Sequence, residues 1–413
     1  MKVSIAGGAL VSAVLLGGSF ARAAAASRIT ADIDPRIELA GAAQALGPAA
    51  GDPKGFIRPA IPYARALEAT SASGRPAAAL DLKEFSFSDR CQVLLRLSGL
   101  PALAERLTMP YAFYDRAGGR DRFEAWLRSL RSYARDAGFL DRFASAKSLL
   151  APRVEAFRRK LEQRDFVGKI EAYTGLPLTG SYSVFLSPYV GEGDNANLVE
   201  PLDDGTIEIS SVFGPQIAPD PESDFWSVRT PGTLWHEAGH GIEDPLGDLF
   251  ADSIAASSAA YRTSWGCYGD WPQCVKEEVV RAVMIRLVAA EFGEAAAAEQ
   301  LAFENEKRFP QLKPMVESLK AYEKSRESYP TLADYYPRLL ETLPGAGSRP
   351  RPADFSALAG RLDCAPVAKS SRMKLYLEHL LARAKDPDLL AAVRAAQAAA
   401  SVSDAAGHRC RGR

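Results

Sequence analysis

The sequence predicts an α+β fold that is mostly α-helical, with one small antiparallel sheet. Three features lead there. Apolar residues recur at helical spacing through most of the first half of the chain, the interval 176–213 is rich in β-formers and turn residues, and helical spacing then returns. Composition is that of an ordinary folded chain: of 413 residues, 24% are charged and 47% hydrophobic, and 50 Lys plus Arg against 51 Asp plus Glu leave a formal charge of −1. These values exclude a disordered tail protein, a collagen and a coiled-coil rod, and they offer no basic footprint for nucleic acid.

The first residues read as an address. Lys2, an apolar stretch from Val3 to Phe20 and the small-x-small triplet Ala21-Arg22-Ala23 form a secretory signal peptide over residues 1–23. The competing reading is an uncleaved membrane anchor. No Cys precedes Cys91, so no lipid-attachment cysteine follows the signal. The mature chain is expected in the periplasm or outside the cell, with no stable membrane insertion after cleavage. Export permits disulfides. Of the five Cys, Cys267 and Cys274 close the shortest loop and are the first candidates for a pair, and Cys364 with Cys410 is the second. The odd count leaves at least one thiol free or paired between molecules, and five reduced, buried cysteines are the alternative.

Ala31 to Leu39 reads as a short strand passing into a helix near Pro35, and Phe56 to Leu176 as mainly helical, with Phe123, Trp126, Leu127 and Leu130 and then Val154, Phe157 and Leu161 on apolar stripes. Residues 24–175 thus form an N-terminal helical region. The character changes at Gly175-Leu-Pro177. Ser181 to Ser187 is a strand, Gly191 to Asn197 a loop, Asp203-Asp-Gly205 a turn and Thr206 to Phe213 another strand. These make an antiparallel meander whose strand 206–213 could align an extended peptide as a sheet edge. Thr230 and Pro231 start a helix that runs to about Glu243 and is stopped by Pro245. A second helix covers about 246–261 and a third about 275–291, ending at Gly293, with more helices over 295–343. Residues 176–343 carry the chemistry. Pro344 to Pro352 is a linker, and 353–413 are a helical segment with a basic tail, His408 to Arg413.

The informative residues are His236-Glu237-Ala238-Gly239-His240. On a helix, residues four apart share a face, so two imidazoles can grip one ion while Glu237 turns toward a bound water. This is the HExxH arrangement of zinc hydrolases; a helix with two surface histidines is the bland alternative. Gly239 and Gly241 argue against it, since each costs about 1 kcal/mol relative to Ala inside a helix. Their presence implies that something packs closely here. Zinc needs a third protein ligand. The metzincin extension fails, because Glu243 and Leu246 stand where that pattern has Gly and His. His379 reads as solvated beside an apolar stripe, and His408 lies in the tail, so a carboxylate is required. Glu243, Asp244, Asp248, Asp252, Glu277 and Glu278 are candidates, the last two foremost because they open an otherwise apolar helix. A first-turn acid favoured by the helix dipole would explain one of the pair.

Four segments together resemble a bacterial family of exported proteins of unknown function with a gluzincin-like HExxH. They are Asp34-Pro-Arg-Ile-Glu-Leu39, Trp235 to Pro245, Tyr268 to Val283, and Tyr322-Glu-Lys-Ser-Arg326 with Tyr329-Pro-Thr331. In the second of these, Asp244 stands where the family usually has Asn. The resemblance spans about residues 31–343. It implies a zincin-like helical core, with Glu277 at the third-ligand position beside His236 and His240, Zn²⁺ as cofactor, Glu237 as the catalytic base, and a peptide or protein substrate. By analogy with other gluzincins, Tyr329 is the candidate oxyanion donor, with Arg281 and Tyr322 as competitors. A non-catalytic zinc protein and an exported binding module are the alternative functions. No Gly-x-Ser-x-Gly elbow, P-loop or dinucleotide fingerprint is present.

Overall fold

The computed structural model describes residues 28–46, 55–59, 61–69, 82, 85–191, 195–215, 225–260, 270–306, 309–345, 350–352 and 367–406. The signal segment, the basic tail and Cys267, Cys364 and Cys410 lie outside them. Strand β1 (Ile29–Asp32) enters helix α1 (Pro35–Leu46) at Pro35, and seven helices follow: α2 (Pro62–Glu68), α3 (Phe87–Leu95), α4 (Tyr111–Arg116), α5 (Arg120–Asp136), α6 (Phe139–Lys147), α7 (Ala151–Glu162) and α8 (Phe166–Thr174). Phe123, Trp126, Leu127, Leu130 and Tyr133 form the buried stripe of α5, as their spacing predicts. Ser86 and Asp89 make a reciprocal capping box at the start of α3, and the Asp165 side chain caps α8. Gly175 ends α8 at φ +71, where a Cβ would also lie 2.4 Å from the Pro330 carbonyl, so no other residue fits.

The sheet is mixed, which corrects the antiparallel meander expected from the sequence. Its order is β1-β2-β4-β3, with β2 at Gly180–Leu186, β3 at Asn195–Pro201 and β4 at Ile207–Phe213. β1 and β4 both run parallel to β2, and only β3 and β4 pair antiparallel, across the Asp203-Asp204-Gly205 turn. Burial explains the order. Ile207, Ile209, Ser210, Ser211, Val212 and Phe213 of β4 are buried, as a central strand requires. Over 196–201 of β3 only Ala196 and Leu198 are, and it carries Glu200 and Pro201, which suit an edge. The free edge next to the HExxH helix is therefore β3 rather than 206–213.

The remaining helices are α9 (Thr230–Leu249), α10 (Ala251–Ala256), α11 (Trp271–Phe292), α12 (Glu294–Glu306), α13 (Leu312–Lys324), α14 (Leu332–Leu340), α15 (Val367–Arg383) and α16 (Pro387–Ala406). α9 lies between the sheet and α11, and α12 and α13 pack on α11. Among the described residues no helix is long and apolar enough to cross a membrane. Cys91 is a free, buried thiol and Cys274 is disulfide-bonded.

Glu38, on the buried face of α1, is fully enclosed, and burial pushes its carboxyl up to about 8, with Ser187 and Tyr63 limiting the rise. The folded state thus holds a proton that the unfolded chain releases near pH 4.5. The stabilisation is complete below that pH and falls by about 1.4 kcal/mol per unit as pH rises towards 8. Glu38→Gln is expected to remove this slope from urea midpoints measured between pH 5 and 8. Equal slopes in both proteins would refute the assignment.

Candidate metal centre

Two long helices build the site; the first starts at Thr230, where the sequence suggests, and the second does not start where it was expected. In α9, Arg229 takes the cap position and Thr230 is the first helical residue; its hydroxyl accepts the Ser227 N–H at 2.8 Å and fixes the entry turn. α11 begins at Trp271 rather than Val275, because Asp270 caps it by accepting the Gln273 N–H at 3.1 Å. Pro245 does not stop α9, which continues to Leu249. The carbonyl that Pro245 leaves without a donor, that of Gly241, accepts Nη2 of Arg372 from α15.

The glycines of α9 set the distances. A Cβ at Gly239 would sit 3.0 Å from Val280 of α11, and one at Gly241 would sit 2.4 Å from Leu178 and 3.3 Å from Ile207 beside the sheet. The two glycines thus face different neighbours, and their absent side chains let α11 and the sheet close on the same helix. Close approach of α11 brings Glu277 to the histidines. His236 Nε2 and His240 Nε2 are 3.3 Å apart, and the two Glu277 carboxylate oxygens lie 3.6 Å from them, one opposite each ring. Donor atoms held about 2.0–2.2 Å from a tetrahedral ion lie about 3.3–3.6 Å from one another. The three side chains are nearly buried, and together they could hold a metal ion. Their neutral-imidazole and carboxylate donor set fits the group that the sequence suggests.

The surroundings orient this triad. Asp244 Oδ1 lies 3.3 Å from His240 Nδ1, the ring nitrogen facing away from Glu277. Arg281, one turn beyond Glu277, donates to its Oε2 at 3.1 Å and to Glu304 of α12 at 2.7 Å, and Gln300 donates to Glu304 in turn. Burial opposes charge on His240, but Asp244, Glu277 and Glu237 reverse that and push its pKa up to about 10. These carboxylates favour a proton on the ring, and a bound ion would compete with it. Glu237 is buried, with Oε1 3.9 Å from His236 Nε2, and desolvation pushes its carboxyl up to about 7.

The other candidates do not join the triad. Glu278 faces the start of α13: burial pushes it up to about 8, and the Gln311 backbone N–H limits the rise. Glu243 accepts the Tyr336 hydroxyl at 2.6 Å, and Asp248 accepts Lys276 at 2.5 Å. His379 is half-buried rather than solvated, and its Nε2 lies 3.1 Å from the Thr179 hydroxyl. Tyr322 donates to the Tyr173 carbonyl at 3.0 Å, and Tyr329 stacks edge-on against Tyr335 and bonds Arg338. Of the three oxyanion candidates, only Arg281 touches the triad, and it does so by holding Glu277. A residue the sequence did not single out also bears on the site: the Tyr182 hydroxyl, 3.0 Å from Ser211, lies within the field of Glu237. Only strand pairing, which places both residues on the sheet face under α9, could have found it.

A family model described as a domain of unknown function, DUF4932, matches residues 83–342. The chain belongs to the DUF4932 family. No curated protein and no solved structure matches it significantly. The DUF4932 segment contains α9, α11 and the entire triad. The Asp34 to Leu39 motif and α15, which carries Arg372, lie outside it.

Proposed function

We propose that this protein is an exported zinc metallopeptidase of gluzincin type. The observation that carries the reading is the convergence of His236, His240 and Glu277 with Glu237 buried beside them. Three protein donors leave a fourth tetrahedral position open, which is the pattern of catalytic rather than structural zinc. Bound zinc would supply a Lewis acid and an acidified water. Glu277, held by Arg281, and His240, backed by Asp244, fix the donor geometry. Glu237 takes the proton of the attacking water and returns it to the leaving amine. The edge strand β3 offers unpaired backbone to an extended peptide. The leader over residues 1–23 supports export to the periplasm or beyond, where a peptide or protein would be the substrate.

The test is a peptide-library digest with purified, zinc-loaded protein. Cleavage should disappear on chelation and return when zinc is restored. A protein that binds zinc and cleaves nothing would be the non-catalytic alternative, a metal stapling α9 to α11. A protein that takes up no zinc would remove both.

A further inference from the structure

In an uninterrupted α-helix the N–H of residue 245 would bond to the carbonyl of residue 241. Pro245 has no N–H, yet α9 passes through it with Gly241 and Pro245 both buried. A buried carbonyl left unmet is costly, and a Cβ at Gly241 would meet only the apolar side chains of Leu178 and Ile207. Arg372 meets that carbonyl with Nη2. It is 4% exposed, and among the described residues its Nε and Nη1 have no hydrogen-bond partner. No carboxylate pairs with it among the described residues. A guanidinium enclosed without a counter-charge is costly, so something specific must offset it. Among the described residues, the group it serves is the carbonyl that the proline strands.

The position of that bond matters for the site. The carbonyl belongs to the residue after His240, and the proline follows Asp244, which backs the His240 ring. Slack in this turn would move His240 and its supporting carboxylate together, away from Glu277. α15 is seated firmly here: the backbone carbonyl of Ser371 packs where Gly205, in the β3–β4 turn, lacks a Cβ.

We infer that Arg372 is a positioning residue: it supplies the hydrogen bond that Pro245 denies α9, and so holds the His240–Asp244 turn at metal-binding distance from Glu277. The metal-binding consequence rests on the proposed zinc site, whereas the coupling between Arg372 and Pro245 does not. The inference also gives a role to the C-terminal region, which lies beyond the DUF4932 match.

The experiment is a double-mutant cycle in the full chain with Arg372→Met, Pro245→Ala and the pair, plus Arg372→Lys. Two quantities are read: the urea midpoint of the metal-free protein, and zinc affinity by competition with a chromogenic chelator. Arg372→Met should lower the midpoint and weaken zinc binding by about 10-fold or more. In the Pro245→Ala background the new N–H reaches the Gly241 carbonyl, and the same substitution should change zinc affinity by less than about threefold. Arg372→Lys, which keeps a donor, should fall between. Equal losses in both backgrounds would overturn the inference. Coupled urea midpoints with no zinc bound by any form would overturn the zinc site and leave the helix repair standing. Should Arg372→Met fail to fold, Arg372→Lys in the two backgrounds completes the same cycle.

Discussion

Glu237→Gln is expected to leave zinc binding within a few-fold of the wild type and to lower peptide cleavage by about 10²–10⁴-fold. Glutamine keeps the shape and fills the same buried space, but it cannot take a proton. Glu237 is not one of the three converging donors: its nearest oxygen is 3.9 Å from His236 Nε2, while the Glu277 oxygens stand 3.6 Å from each ring. Removing its charge should therefore cost the reaction and spare the ion. Alanine would be a poorer probe, because it would open a cavity between α9 and the sheet. Zinc content and kcat are measured on the same preparation. Unchanged turnover would remove Glu237 as the base, and loss of zinc would make it a ligand instead.

The sequence revealed what is local and missed what is set from a distance. His236, Glu237 and His240 share one helix, so their spacing carried the ligand pair directly. Gly239 and Gly241 announced close packing, though not that one faces α11 and the other the sheet. Glu277 and Glu278 were harder, because neighbouring residues on a helix point about 100° apart and α11 is buried on nearly all sides from Val275 to Ala289, leaving no polar face to fix its rotation. The family resemblance, not periodicity, separated them. The turn at Asp203–Gly205 was legible, but the insertion of β4 between β2 and β3 depends on pairings far apart in the chain. Pro245 is the sharpest failure. The local rule ends the helix there, and a donor 131 residues away from Gly241 lets it continue. Tyr329 and Tyr322 were drawn by analogy, and their hydroxyls are held by structural partners.

Glu277→Ala is expected to weaken zinc binding by more than about 100-fold, since loss of a direct ligand should exceed the penalty of losing an outer partner. Glu278→Ala should leave affinity within a few-fold of the wild type, although the residues are adjacent and both buried. Three observations make the difference large. The Glu277 carboxylate stands opposite both rings, Arg281 and Glu304 clamp it from behind, and Glu278 does not join the cluster. The clamp sharpens the comparison, because Arg281 is buried and Glu277→Ala leaves it with Glu304 alone beside two imidazoles. Losing the Glu277 charge also weakens the attraction of the site for a divalent ion, in addition to removing a ligand. Glu277→Gln, which keeps the shape but loses the charge, should fall between alanine and wild type. Titration calorimetry with zinc on the four proteins decides the matter. If Glu278→Ala lost the ion while Glu277→Ala kept it, the carboxylate assignment would be reversed; if neither changed affinity, the histidines would have to bind zinc without α11, and the close approach at Gly239 would need another cause.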